Sequence, residues 1–230
     1  MQATIDTYQD RIGEIELYYQ ALQELYDHPQ SSTERHAFCS DDFLKILKSN
    51  ALIMVYNLVE SSVMGGILEI YDELKSQGLS YNVVRREIQQ IWFSFMFNQV
   101  YDKSAHYNSY RNKATEIINS ILTDDTLVLD RKATDISGNL DAEKIRHICD
   151  DHGISYTISP ECKGGVVLTD VKNKRNDLAH GTTSFVECGR DYTVDDLVKI
   201  KEETVLFLNG IMNGMKQYYD EERYLIVNNV

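Results

Sequence analysis

The chain has 230 residues, of which 43% are hydrophobic, and a formal charge of −13. That apolar content supplies a sizeable core and excludes disorder as the main state. The acidic balance excludes coating of duplex DNA by a broad basic surface, so any nucleic-acid contact is local, and the same surface suits a basic protein partner.

In chain order, Ile5, Tyr8, Ile12, Ile15, Tyr19, Leu22 and Tyr26 follow steps of three and four, which predicts an N-terminal helix with one apolar stripe. The stripe packs either on the next helix or on a second copy as a coiled coil. The first is favoured, because the run is near the minimum for a coiled coil. After a polar loop over about 29–39, Ser40 followed by Asp41 and Asp42 reads as a capped start, and a long helix is expected to about Gln77, bent at Gly65 and Gly66. Its apolar stretch, 51–68, contains Asn57, Glu60, Ser61 and Ser62 and therefore reads as a buried helix rather than a membrane span.

Gly78 stops that helix and Ser80 is expected to cap another through Ile88, Trp92 and Met96, followed by a helix over 113–122. The region 123–163 changes character. Residues 126–129 and 154–158 read as short strands around a helix over 140–151 that Gly153 closes, together forming an inserted subdomain within one helical domain, 1–230. A short helix over 168–180 follows, then a long one opening at Thr193 with Asp196 three residues on. The fold class expected is thus mainly all-α, with long terminal helices and a small insertion containing short strands.

Cys39, Cys149, Cys162 and Cys188 are widely spaced, and Met1 leads directly into a charged amphipathic stretch, so a reducing cytoplasm is the expected setting. His147 and Cys149 have no second pair to complete a metal site, and neither metal nor cofactor is expected. His28, His36 and His106 lack a located partner and read as solvated or packed side chains.

Chemistry concentrates in Lys174-Arg175-Asn176-Asp177-Leu178-Ala179-His180-Gly181. On a helix, Leu168, Val171 and Leu178 face the core, whereas Asn176 and His180 are neighbours one turn apart on another face. Arg175 adds a fork of donors suited to a phosphate, which Lys172 and Lys174 also attract. His180 sits where Gly181 ends the helix. An imidazole to move protons and a guanidinium to hold negative charge suffice for metal-free cleavage of RNA. Arg146 and His152 form a similar pair before Gly153 and rank lower, because no third polar group accompanies them.

These residues resemble the motif of the HEPN superfamily (higher eukaryotes and prokaryotes nucleotide-binding), an Arg-Asn opening followed by His near a late helix. The resemblance extends to Asn57-Leu58-Val59-Glu60-Ser61-Ser62, to Ser137-Gly138-Asn139-Leu140-Asp141 and to the helix from Thr193, and it is nearest to bacterial toxin and phage-defence members. It implies an HEPN-like helical bundle and a metal-independent endoribonuclease that leaves a 2′,3′-cyclic phosphate, with Arg175 and His180 as the catalytic pair and Asn176 in support. It also implies a homodimer whose two motifs face one cleft, an RNA substrate, and a possible antitoxin or defence-system partner. Glu60 is a further candidate, either functional or salt-bridged to Arg175. Thr182 stands where some such toxins carry a modifiable tyrosine, so that form of regulation is not expected. The alternative reading is a non-catalytic nucleotide- or RNA-binding or protein-interaction module.

Overall fold

The computed structural model describes residues 1–27, 40–98, 107–134, 136 and 138–226. Their regular structure is helical: α1 (Gln2–Asp27), α2 (Asp41–Ser76), α3 (Arg86–Asn98), α4 (Tyr107–Leu122), α5 (Ala142–His152), α6 (Val167–Ala179), α7 (Phe185–Arg190) and α8 (Val194–Asp220). His28, His36, Cys39, His106 and Ser137 lie outside the described residues.

Helix α2 organises the bundle, with α1, α6, α7 and α8 all packed against it. It starts where Ser40 Oγ accepts the Phe43 N–H at 3.1 Å, with Asp41 and Asp42 in the first turn, and it runs helically through Gly65 and Gly66. By length and apolarity α2 could cross a membrane, yet most of that apolar window is covered by the protein itself. Val55, Leu58, Val59, Val63, Ile67 and Ile70 are at most 1% exposed, each such burial contributing roughly 1.5–3 kcal/mol. The α1 stripe is satisfied within the chain: Tyr8, Ile15, Tyr19 and Leu22 are buried and Ile5 and Ile12 pack against the core.

Helix α8 opens with a reciprocal cap between Thr193 and Asp196, and Ser184 and Glu187 make another at α7. Gly153 closes α5 in the left-handed region, at φ 69°.

Two expectations are corrected. Helix α3 starts at Arg86 rather than Ser80, because Ser80 is taken up by an isolated antiparallel bridge to Thr126 and its hydroxyl donates to Asp124 Oδ1 at 2.8 Å. Neither 126–129 nor 154–158 is a strand. The first is held by single contacts, such as Leu127 N–H to Leu79 O at 2.7 Å. The second lies on α8, where the absence of side chains at Gly210 and Gly214 admits the carbonyls of Thr157 and Ser155. Leu127, Leu129, Ile136, Leu140, Ile145, Ile148 and Ile154 join the same buried cluster as α2 and α8.

Candidate functional site

Helix α6 presents Leu168, Val171 and Leu178 to the core and leaves Lys174, Arg175, Asn176 and Asp177 half-buried. It ends as its sequence dictates. The His180 N–H donates to Asn176 O at 2.9 Å, Gly181 turns the chain at φ 69°, and Thr182 N–H returns to Asp177 O at 2.9 Å. His180 is thereby left exposed at the helix end, one turn beyond Asn176.

Arg175 is fixed on several sides. Nη1 donates to Gly138 O at 3.0 Å and to Asn176 Oδ1 at 2.9 Å, and Nη2 donates to Glu60 Oε2 at 3.2 Å. Its Cζ stands 4.3 Å from the centroid of the Tyr56 ring, a cation–π distance. These bonds use three of the five guanidinium N–H groups, which leaves donors for an incoming anion. The side chain remains a quarter exposed.

The loop that receives α6 is equally committed. Asn176 Nδ2 donates to Asn139 Oδ1 at 2.7 Å, which turns the Asn176 oxygen toward Arg175. The Leu140 N–H donates to the Tyr56 hydroxyl at 3.2 Å. Asp141 caps α5 through Lys144 N–H at 3.0 Å and pairs with Lys172 Nζ at 2.5 Å. Gly138 sits at φ 57°, and a Cβ there would approach Arg175 Nη1 to 3.3 Å, so glycine suits both the backbone and the guanidinium.

Of the residues expected in the site, Arg175, Asn176 and Glu60 are joined by direct bonds. The two roles considered for Glu60 meet here, because the salt bridge to Arg175 does form, with Arg131 at 3.9 Å on the other carboxylate oxygen. Lys172 and Lys174 stand near but are occupied. Lys172 holds the α5 cap, and Lys174 pairs with Asp191 at 2.9 Å beside the Tyr192 ring, its ammonium pKa held up chiefly by the hydrogen bond to Asp191.

The rival pair is structural. His152 is 4% exposed, its Nδ1–H donates to Ile148 O at 2.7 Å, and its Nε2 accepts from the Tyr71 hydroxyl at 2.8 Å. A carbonyl only accepts, which fixes this neutral tautomer, and burial lowers the ring's pKa. Arg146 donates to Gly164 O and lies over Phe207. His147 is 3.8 Å from Glu143, whereas Cys149 is buried, its thiol pushed up to about 12 by desolvation.

Sequence reasoning missed Tyr56 and Arg131. Tyr56 is indistinguishable in the sequence from the other apolar positions of α2, and Arg131 lies on a short 3₁₀ turn, Arg131–Ala133, outside any amphipathic pattern.

A family model described as HEPN_MAE_28990-like HEPN matches residues 2–224. Comparison with curated proteins and with solved structures returns no match.

Proposed function

Because the chain belongs to the HEPN_MAE_28990-like HEPN family, we propose that it is a metal-independent endoribonuclease with Arg175 and His180 as its catalytic pair. The observation that carries this reading is an arginine of α6 anchored by Glu60, Gly138 and Asn176 with donors to spare and, five residues on at the end of the same helix, a histidine left exposed.

In this reaction an imidazole takes the 2′-hydroxyl proton of RNA, and the freed oxygen attacks the adjacent phosphorus. The P–O5′ bond breaks, leaving a 2′,3′-cyclic phosphate, and the departing oxygen takes up a proton. Arg175 stabilises the charge that builds on the non-bridging oxygens. One His180 acting as base and the His180 of a second copy acting as acid satisfies both proton transfers, which favours a homodimer with two motifs in one cleft. Glu60 and Asn176 position Arg175, while Lys172 and Lys174 contribute field rather than direct contact. The biological setting that fits such an activity is a toxin or phage-defence effector working in the cytoplasm, held in check by an antitoxin or another defence component.

The test is incubation of wild type, Arg175→Ala, His180→Ala and Glu60→Gln with mixed cellular RNA in EDTA. Cleavage to 2′,3′-cyclic ends by wild type, its loss in the first two variants and its retention in Glu60→Gln is the expected pattern. A second reading, a non-catalytic nucleotide- or RNA-binding module, is favoured by the lack, among the described residues, of any bond between the His180 ring and the cluster around Arg175. Binding of RNA by all four proteins without cleavage would establish it.

A further inference from the structure

A groove of about 580 Å³ runs along the seam of α1 and α2, and one of its walls is Glu60, the carboxylate bonded to Arg175. We infer that this groove is a nucleotide subsite, seating the base of a residue flanking the cleaved bond while Arg131 takes its phosphate. The inference deepens the ribonuclease reading and rests on it for the identity of the polymer.

Three features carry it. The groove's volume lies within the range of small-molecule sites, roughly 300–1,000 Å³. Met54, half-buried, and the accessible edge of Met64 give it an apolar floor on which the face of a base can rest, and Asn57 projects beside them on the exposed side of α2. The Asn57 amide has no hydrogen-bond partner among the described residues and offers a donor and an acceptor to a base edge.

The charge arrangement places the phosphate. The lining carries two cations, Arg11 and Arg131, and two carboxylates, Glu14 and Glu60; because Glu60 is already bonded to Arg175, the balance left to a ligand is positive, and Arg131 is the cation beside Glu60. Arg131 is 68% exposed and its contact with Glu60 spans 3.9 Å, beyond hydrogen bonding, which leaves its donors available. Its backbone is held by the Asp130 cap, where Oδ1 accepts the Lys132 N–H at 2.7 Å. An apolar floor, a free amide and a cationic rim beside the candidate catalytic arginine together match a nucleotide better than an apolar ligand or a bare anion.

Adenosine 3′-monophosphate titrated into the full chain carrying His180→Ala, followed by calorimetry, is the direct test. Saturable binding, weakened about tenfold by Asn57→Leu or by Arg131→Ser, is expected for loss of one hydrogen bond or ion pair to a ligand. Both positions are exposed, and an unchanged Tm checks that each variant folds. Absence of saturable binding, or equal binding by both variants, overturns the subsite. The parallel measurement is RNA cleavage by Asn57→Leu and Arg131→Ser with His180 intact. A raised KM at near-constant kcat supports the subsite, and unaltered KM in both variants overturns it while leaving the ribonuclease standing. Nucleotide binding that depends on Asn57 and Arg131 in a protein that cuts no RNA keeps the subsite and removes the enzyme.

Discussion

Tyr56 supports Arg175 with its ring and the neighbouring loop with its oxygen: the guanidinium carbon stands 4.3 Å from the ring centroid, and the hydroxyl accepts the Leu140 N–H at 3.2 Å. One core side chain therefore couples α2, α6 and the loop entering α5. Replacing Tyr56 by Phe keeps the ring and strands a buried N–H, at a cost of about 1–3 kcal/mol. Thermal denaturation should show a Tm lower by roughly 2–4 °C for each kcal/mol lost. Cleavage of RNA should fall further in Tyr56→Leu, which also loses the ring beneath Arg175.

Two helical glycines give opposite responses to the same change. At Gly13 in α1 an added Cβ meets nothing within 4 Å, so Gly13→Ala gains helix propensity and stabilises by about 0.5–1 kcal/mol. At Gly214 in α8 it would lie 2.6 Å from Ser155 O, and Gly214→Ala should destabilise by about 1–3 kcal/mol despite the same propensity gain. Urea denaturation of both variants measures the two signs. Equal effects would mean that 154–158 does not rest on α8.

The two arginine–histidine pairs separate in the same way. His180→Ala should abolish cleavage and change stability by no more than about 0.5 kcal/mol, as for other exposed positions. His152→Ala opens a buried site and leaves Tyr71 without its acceptor, so it should cost about 2–4 kcal/mol while the folded fraction still cuts RNA.

His152 also sets a pH response. Its folded-state pKa lies below the ordinary 6.5 because burial disfavours the cation. As pH falls below 6.5, the unfolded chain takes up a proton that the folded chain refuses, and stability declines until the folded pKa is reached. Above 6.5 both states are neutral at this ring and the contribution is flat. Denaturation midpoints across pH 5 to 8 should show this decline in wild type and a shallower one in His152→Phe.

The helical framework was legible because its signals are local. Ser40 with Asp41 and Asp42, Thr193 with Asp196, and Gly153 all mark the ends they were expected to mark. Ser80 misled because a hydroxyl before a helical stretch can equally bond to a distant carboxylate, here Asp124. Residues 126–129 and 154–158 bury apolar side chains as strands do, Leu127, Leu129 and Ile154 among them, but the first segment meets Leu79 and Ser80 through single contacts and the second rests on α8. At the candidate site, the Arg-Asn opening of the motif drew attention to Arg175 and Asn176, and its position in an apolar helix to Glu60; these three are bonded together, whereas His180 stands exposed at the helix end. Tyr56 and Arg131 were not legible, since their roles depend on which distant segments meet.

Arg175 is held by Gly138, 37 residues before it, and by Glu60, 115 residues before it. A chain emerging from a ribosome cannot make these contacts until α6 has been synthesised and docked on α2. On the ribonuclease reading proposed above, the nascent chain has no anchored arginine before that docking, so the messenger RNA that encodes it meets the assembled site only afterwards.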